Sequence, residues 1–437
     1  MENCLVQANS LYKSGDYKKA VEFYGSADAK EKNPPLAYFM AGKCLSNLGL
    51  VKEAKDSYDA SLKYDDSNPL FNNEIERFYL KNTLIDNKTR IIWHFFPYTL
   101  NIGDSGSAAG IRHILKSQRS DLFFLSLSCS GENMNQIEQM SRHDPEMVII
   151  GGGGLFFKHK LPDTWYFPLA PEYISSKAFP FVTYGTGLNQ EYNNNPAWDL
   201  DRNFICRLAE YHKLFKLKSV RDTWTFNKLQ DAGVNDLYLA ACPSAFLEPL
   251  KWFNFHAEEK QKNIALCITI RSVDQSNAAG FIKIFIEFGK WLMRNGYNAI
   301  FVLHDANDDG RIFTAVTEQN FPCIIPTTAR EAVTIYDKCG FVMGMRGHSL
   351  ILGAGRNVPV FAISYNKKLD AFMELMGLEK YCVNQNKIRG SRDLINGFNL
   401  LVDDYPEIMS IMRKKRREFY TANMEYAGQI AGLFHDP

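Results

Sequence analysis

Short apolar runs alternate with amphipathic stretches through most of this 437-residue sequence. The first series of apolar runs is RIIWHFFP, MVIIGGGGLFF, FPFVTYGTG, KLKSVRD and LYLAACPSAF, with stretches such as GSAAGIRHILKSQ and TWTFNKLQDAG between them. A second series begins near Asn263 and runs through IALCITIRS, AIFVLHD, CIIP, FVMGM and PVFAISY. Strands that alternate with helices form mostly parallel sheets. The pattern therefore predicts an α/β protein with two doubly wound, Rossmann-like domains.

A polar segment, KWFNFHAEEKQKN, separates the two series and has little strand signal. Such a segment is typical of a linker. We therefore predict an N-terminal domain over residues 88–250, a C-terminal domain over 262–404, and a helix over 405–437 that crosses back to the first domain. Ligands of doubly wound sheets bind at the carboxyl ends of the strands, so the two domains should form a ligand cleft where those ends face each other.

The first 80 residues contain a repeat with a fixed period. Six positions recur 34 residues later: Ala8, Leu11, Gly15, Ala20, Tyr24 and Pro35 as Gly42, Leu45, Gly49, Ala54, Tyr58 and Pro69. This is the period and pattern of tetratricopeptide repeats, so we predict an all-α segment of such repeats over residues 1–80. Two repeats bury too little surface to stand alone. Two interpretations remain open: a docking spacer, or a module that recruits a protein partner or a second copy of the chain.

Charge and composition exclude several classes of function. Lys and Arg total 50 and Asp and Glu total 49, so no overall field attracts nucleic acid. The nine cysteines form no CxxC pair and no zinc-like cluster, which indicates reduced thiols and no metal site. The sequence shows no signal peptide and no long apolar run, so we expect a cytoplasmic protein. The basic run at residues 413–417 leaves open a peripheral position at the inner face of the membrane.

Glycines and polar residues follow several predicted strands, where ligands of such sheets bind. These candidate substrate-binding residues are Asn101, Gly103 and Asp104 after the first strand, Gly152 and Gly153 after MVII, and Tyr184, Gly185 and Gly187 after FPFV. Glycines allow the backbone to approach a ligand, and amides at a helix N-terminus favour anions. The chain has no GxxxxGK[ST] motif, and GGGGLF lacks the acidic partner of a dinucleotide site, so neither ATP nor NAD is predicted.

Two further loops carry arginines. Arg221 lies in SVRD between a strand and a helix, while Arg346 and His348 lie in GMRGHS, with Ser349 opening the next helix. Guanidinium groups bind carboxylate or phosphate as a fork, and a histidine beside them moves protons near neutral pH. The pattern predicts a site for a small, multiply charged anion. A pair of buried arginines that hold structural carboxylates is the alternative.

In series, these loops resemble those of the polysaccharide pyruvyl transferases. The resemblance rests on NIGD at 101–104, GGGGLF at 151–156, YGTGLN at 184–189, SVRD at 219–222 and GMRGHSLILG at 344–353. It implies a GT-B-like fold and the transfer of pyruvate from phosphoenolpyruvate onto a sugar as a cyclic ketal. The acceptor would be a surface polysaccharide, as in capsule or exopolysaccharide synthesis, or its lipid-linked oligosaccharide precursor.

The resemblance also implies roles for individual residues. Arg221 and Arg346 match family motifs and would hold or activate the donor, with Arg346 and His348 as the catalytic pair. Because ketal formation needs a proton on the methylene carbon of phosphoenolpyruvate, His348 is our candidate acid. No cofactor beyond the donor substrate, and no metal, is expected.

The chain departs from the family pattern at one loop, where Ala241-Cys242-Pro243-Ser244 replaces an expected Asp-Pro. An acidic contact or base is therefore missing there, or another residue supplies it. Two alternative functions remain: a GT-B glycosyltransferase that uses a nucleotide sugar, for which Asp370 is a poor match to the ribose-binding acid, and a non-catalytic scaffold.

Overall fold

The computed structural model of the chain describes residues 4–86, 88–97, 101–129, 144–157, 167–190, 200–255, 259–270, 273, 277–305 and 309–434. Contacts between residues divide the chain into two compact units. The first comprises Met1–Thr89 together with Leu250–Asn254, and the second comprises Arg90–Pro249 and Phe255–Pro437.

The first unit is helical. Its helices are α1 (Cys4–Ser14), α2 (Tyr17–Tyr24), α3 (Ala27–Lys32), α4 (Pro34–Asn47), α5 (Val51–Tyr64) and α6 (Pro69–Lys81). Residues at equivalent positions of the repeat are buried in the same way, as Ala20 and Ala54 are, and as Tyr24 and Tyr58 are. The expected all-α segment is confirmed. Its assignment to the tetratricopeptide repeats stays a prediction.

The second unit contains two parallel sheets of six strands each. The first has the order β2-β1-β3-β4-β5-β6 and comprises β1 (Arg90–Phe96), β2 (Leu122–Ser128), β3 (Met147–Gly151), β4 (Phe181–Thr186), β5 (Leu217–Val220) and β6 (Leu237–Leu239). Its helices are α7 (Ile102–Gln118), α8 (Pro171–Ser175), α9 (Arg202–Lys213) and α10 (Thr223–Asp231). The register pairs Ile92 with Met147 across β1 and β3. Strands buried on both faces, such as β3 and β4, explain the uninterrupted apolar runs.

The second sheet has the order β12-β11-β10-β7-β8-β9. Its strands are β7 (Asn263–Cys267), β8 (Asn298–Val302), β9 (Cys323–Ile324), β10 (Phe341–Gly344), β11 (Val360–Ser364) and β12 (Cys382–Asn384). The helices of this half are α11 (Ala278–Arg294), α12 (Gly310–Thr317), α13 (Ala329–Asp337), α14 (Gly347–Gly355), α15 (Lys367–Met376), α16 (Ser391–Asp403) and α17 (Tyr405–Ala431). The predicted α/β class with two doubly wound domains is confirmed. Strands β2 and β12 are additions to the ten strands that the apolar runs predicted.

Each sheet has a point where the strand order reverses. In the first sheet the reversal lies between β1 and β3, and in the second between β7 and β10. Adjacent loops diverge at such a point and leave a crevice at the carboxyl ends of the strands. The loop after β10 carries Arg346 and His348, so the fold places both residues beside the crevice of the second sheet.

The long helix α17 packs on the first sheet, although it follows the second sheet in the chain. Tyr426 and Ile430 are buried in one core with Ile92 of β1 and Tyr184 of β4. The Tyr426 hydroxyl donates to the carbonyl of Thr183 at 2.7 Å, and the Tyr184 hydroxyl donates to the side-chain oxygen of Asn423 at 3.1 Å. This helix therefore ties the two sheet domains together.

Candidate functional site

A cavity of about 100 Å³ lies where the carboxyl ends of both sheets meet. The first sheet domain contributes Asn101, Asp104, Gly154, Asn189, Arg221, Asp222 and Cys242 to its lining. The second contributes His304, Arg346, Gly347, His348, Ile351, Tyr365, Lys368 and Phe372. The structure thus brings Arg221, Arg346 and His348 together in one cavity, as the loop pattern predicts.

Four helices begin at this cavity. The N-terminal ends of α7, α10, α14 and α15 lie there, through Asn101, Asp222, Gly347 and Lys368 respectively. Asn101, Asp222 and Asn366 cap three of these helices with their side chains, whereas no side chain of the described residues caps α14. Helix N-termini carry partial positive charge and exposed amides. The four ends therefore favour an anion in the cavity, most of all beside Gly347.

Arg346 is buried and paired with a carboxylate. Its Nη2 lies 2.9 Å from Oδ1 of Asp309, and the Asp309 side chain is completely shielded from solvent. Burial alone would lower the pKa of Arg346, but Asp309 and Tyr365 raise it, so the guanidinium stays charged. Burial raises the pKa of Asp309, although Arg346 opposes that shift. Arg346 therefore has a structural partner as well as a place in the cavity wall.

Arg221 is also buried, and glycines of two motifs give it room. A Cβ at Gly187 would lie 2.7 Å from Nε of Arg221, and a Cβ at Gly154 would lie 3.1 Å from its Nη2. Nε lies 3.8 Å from Oδ2 of Asp222, while Oδ1 of Asp222 accepts from the amide of Thr225 and caps α10. The YGTG and GGGG motifs thus act on the site by letting the Arg221 guanidinium lie against their backbone.

His348 is half-buried in the cavity wall, and the Nε2 edge of its ring contacts two side chains of the first sheet domain. Its Nε2 lies 2.9 Å from Oγ of Ser107 and 3.7 Å from Sγ of Cys242. Burial lowers the pKa of His348 well below its usual value, and the charges of Arg221 and Lys368 lower it further. The imidazole is therefore neutral at pH 7 in the free protein. A bound anion would oppose the effect of those cations and favour the imidazolium.

Cys242 belongs to the loop that replaces the expected Asp-Pro. The preceding residue, Ala241, has a left-handed backbone with φ of 50°, a strained conformation for a residue other than glycine. In the sequence no histidine lies near Cys242, but the fold places its Sγ within reach of His348 and 3.1 Å from Oγ of Ser244. This loop therefore places a thiol beside His348, where the resemblance led us to expect an Asp-Pro.

Several predicted substrate-binding residues lie away from the cavity lining. The ring of Tyr184 faces α17 and the core, because side chains alternate along β4 and this one points to the helix face. Ser349 is buried and its hydroxyl donates to the carbonyl of Arg346, so it stabilises the first turn of α14. Three glycines, Gly152, Gly153 and Gly185, have positive φ and shape turns, whereas Gly154 reaches the cavity. Direct substrate contact by these five residues, and by Gly103 and Gly187, which also lie outside the lining, stays a prediction.

Other lining residues were not predicted from the sequence. His304 follows β8 in the run AIFVLHD, and its Nε2 lies 2.5 Å from the Tyr336 hydroxyl. Burial lowers the pKa of His304 to about 3, and Arg346 adds to the shift. Lys368 lies in the first turn of α15 in ISYNKKLDAF and supplies a third cation beside the two arginines. Both residues lie in loops or helix starts that come after a strand, as Arg221 and Arg346 do.

The described ranges contain neither a metal-binding cluster nor a membrane-spanning helix. No group of three or more His, Cys, Asp and Glu side chains there is arranged to hold a metal ion. No helix of the described part is both long and apolar enough to cross a membrane. The expected absence of cofactor and metal stays a prediction.

Solved structures with a similar fold include two bacterial proteins. The putative UDP-N-acetylglucosamine 2-epimerase from Listeria monocytogenes shares 13% identity over 78% of this chain and 95% of its own, with a TM-score of 0.54. The S. aureus MnaA structure with UDP shares 12% identity over 74% and 90% of the two chains, with a TM-score of 0.50. At such identities the likeness shows the fold alone, which is GT-B-like as expected.

The sequence itself matches one family. No curated protein sequence matches the chain. The family model described as polysaccharide pyruvyl transferase covers residues 101–367, more than half of the chain and all five loop motifs. The matched residues begin at the start of α7 and end at the start of α15, and so include all the lining residues up to Tyr365. The chain therefore belongs to the polysaccharide pyruvyl transferase family.

Proposed function

We propose that this protein transfers the pyruvyl group of phosphoenolpyruvate onto two hydroxyl groups of a sugar, forming a cyclic ketal. The observation that carries the proposal is the meeting of Arg221, Arg346 and His348, from two different domains, in one small cavity. Family membership supports a transferase with a sugar or polysaccharide acceptor. The identity of the donor rests on the chemistry of the cavity.

The cavity suits phosphoenolpyruvate in charge. That molecule places a carboxylate and a phosphate on one three-carbon unit. Arg221, Arg346 and Lys368 bring three cations to the lining, against the carboxylates of Asp104 and Asp222 in the lining and of Asp309, which pairs with Arg346. The positive ends of four helices add the charge that favours a bound anion. We assign the phosphate to the uncapped end of α14, where backbone amides and Arg346 meet.

The cavity also suits phosphoenolpyruvate in size. A cavity of about 100 Å³ has room for a small donor such as phosphoenolpyruvate.

The transfer is a balanced, redox-neutral sequence. His348 donates a proton to the methylene carbon of the donor, and that carbon becomes a methyl group. An acceptor hydroxyl oxygen bonds to the central carbon of the donor and loses its proton to a base. The carbon–oxygen bond to phosphate then breaks and inorganic phosphate leaves. A second hydroxyl bonds to the same carbon and its proton goes to phosphate or base. Arg221 and Arg346 stabilise the charge that develops on the donor.

Asp104 is our candidate for the base. It lies in the first turn of α7 on the cavity wall, across the site from the cations of the second domain. A carboxylate there can accept the proton of an acceptor hydroxyl, and the deprotonated His348 can accept the other. Asp104 thus offers the acidic function that the Cys242 loop lacks.

We assign the acceptor to a glycan or a lipid-linked oligosaccharide of surface polysaccharide synthesis. The exposed basic side chains of Arg413, Lys414 and Arg417 on α17 suit a position near anionic lipid at the inner face of the membrane. The helical N-terminal segment is then the part available for a protein partner or self-association.

The nucleotide-sugar alternative lacks a supporting contact. Asp370, the residue considered for ribose binding, accepts from the thiol of Cys382 at 3.6 Å and is not part of the cavity lining. Thermal unfolding with phosphoenolpyruvate, UDP, GDP and CMP tests the choice. We expect stabilisation by phosphoenolpyruvate alone, and stabilisation by a nucleotide alone would replace the proposal with a glycosyltransferase.

A further inference from the structure

A buried hydroxyl lies directly against the candidate catalytic histidine. Ser107 is fully buried in α7, and its Oγ lies 2.9 Å from Nε2 of His348 in the other sheet domain. The same oxygen lies 3.0 Å from the carbonyl of Gly103, one helical turn earlier. Ser107 touches His348 but does not line the cavity. Its effect on the reaction would therefore pass through His348.

The single proton of Ser107 determines which nitrogen of His348 carries hydrogen. A serine within a helix characteristically donates to the carbonyl four residues earlier, and the Gly103 carbonyl is in place to accept. The Ser107 oxygen is then an acceptor toward the histidine. Nε2 of His348 must carry the hydrogen that fills this bond, because two lone pairs would otherwise face each other. In the neutral ring this leaves the lone pair on Nδ1.

Nδ1 lies on the other edge of the ring, beside Gly103. A side chain at position 103 would overlap Nδ1, so the glycine of the NIGD motif lets this edge of the imidazole pack directly against the helix backbone. Gly103 belongs to the first turn of α7, between the cavity residues Asn101 and Asp104. Nδ1 of His348 therefore lies against the cavity end of α7.

The groups around His348 supply no carboxylate to Nε2. Its described hydrogen-bonding partners are Ser107 and Cys242. The charged and titratable groups that act on the ring from other elements are Arg221, Lys368 and His304, with Asp104 on the opposite wall and Arg346 at the start of its own helix. A neutral hydroxyl thus occupies the orienting place that a carboxylate fills in many acid–base pairs.

We propose that Ser107 is a positioning residue that holds His348 with hydrogen on Nε2 and leaves the lone pair of the neutral ring on Nδ1. Ser107 accepts from Nε2 in both the charged and the neutral ring. The ring therefore keeps one orientation through the cycle. The identity of the substrate rests on the proposed function, whereas the tautomer stands on the geometry alone.

The first test compares Ser107→Ala with Ser105→Ala. Ser105 lies in the same helix, is also buried, and bonds only to the carbonyls of Asn101 and Ile102. With phosphoenolpyruvate as donor, we expect S107A to lower kcat by about 10- to 100-fold, because His348 is misoriented. The KM for phosphoenolpyruvate should stay within about threefold of that of the natural protein. We expect S105A to stay within about twofold of the natural protein in both constants. Equal losses in the two variants would show that Ser107 is merely structural.

The second test reads the tautomer directly and does not need turnover. Histidine-selective ¹⁵N labelling, with the His348 signals assigned by their loss in His348→Gln, should show hydrogen on Nε2 in the natural protein and in S105A, and a mixture of tautomers in S107A. Hydrogen on Nδ1 in the natural protein would overturn the proposal. Failure of phosphoenolpyruvate to react with any acceptor would remove the proposed function, and the nitrogen spectrum would still decide the tautomer.

The pH profile provides a third readout that separates orientation from stability. Loss of the Ser107 acceptor should lower the pKa of His348, so the limb on which kcat falls with rising pH moves to lower pH in S107A. Cys242→Asp places a carboxylate beside the same nitrogen and should move that limb to higher pH. Shifts in the same direction, or no shift in either variant, would contradict a role that acts through His348.

Discussion

Arg346 is expected to serve both the fold and the donor, and a pair of variants separates the two roles. The Asp309 carboxylate is fully shielded from solvent, and Arg346 is its only described side-chain partner. Arg346→Met removes that partner. Breaking a buried pair in this way typically costs about 3–5 kcal/mol of unfolding free energy. For a chain of this size that corresponds to roughly 3–5 °C in the unfolding midpoint. The double variant R346M/D309N removes the charge as well and should recover at least half of this loss.

The donor response should not recover. In the natural protein, phosphoenolpyruvate at a hundred times its Kd adds about 2.7 kcal/mol, or roughly 3 °C. Both variants should lose this shift, because neither has the guanidinium in the cavity. Arg119→Met is the matched control, since Arg119 pairs with Asp121 on the partly exposed surface and that change should cost about 1 kcal/mol or less and keep the donor shift.

The pH dependence of R346M gives a further check. Burial raises the pKa of Asp309, and loss of Arg346 should raise it more. A carboxyl whose folded-state pKa lies above its unfolded value loses stability as pH rises. R346M should therefore become more stable, relative to the double variant, as pH falls from about 7 toward 5. A cost below about 1 kcal/mol for R346M, or a donor shift that returns in R346M/D309N, would refute the reasoning.

Three further predictions follow from the geometry of the site. His348→Gln should lower turnover by about 10²-fold or more and retain the thermal shift that the donor induces. Turnover within about threefold of the natural protein would remove His348 from the mechanism. Because the pKa of His348 is lowered in the free protein, phosphoenolpyruvate should bind with proton uptake, and it should bind more tightly as pH falls from about 8 to 6. Calorimetry in buffers of different ionisation enthalpy measures this uptake. Proton uptake that persists in H348Q would assign the proton to another group. Gly187→Ala should displace Arg221 and weaken donor binding. The control Gly280→Ala places its methyl group where nothing lies within 4 Å, so donor binding should not change. Equal donor binding in both variants would show that Arg221 does not hold the donor.

The position of the cationic residues was predictable because it depends on local pattern. Arg346 and His348 stand at the break between the apolar run FVMGM and the next helix, and a parallel sheet brings every such break to one edge. Arg221 was found in the same way. The order of the motifs was enough to indicate the family.

The environment of those residues was not predictable from local pattern. Asp309 is 37 residues before Arg346, and its pairing is a product of the tertiary fold. Ser107 lies within a helix of small residues with no polar signal that marks it out. The side-chain direction of Tyr184 was missed because the motif YGTG was treated as a unit, whereas strand geometry sends its tyrosine to the core and its last glycine to Arg221.

Phosphate release from phosphoenolpyruvate across a panel of glycans and lipid-linked oligosaccharides tests the central claim most directly, with mass spectrometry of the acceptor. We expect phosphate release that depends on the acceptor, a product heavier by one pyruvate ketal, and loss of both signals in the R346M/D309N variant. Phosphate release without any change in acceptor mass, or turnover of a nucleotide sugar in place of phosphoenolpyruvate, would contradict the assignment.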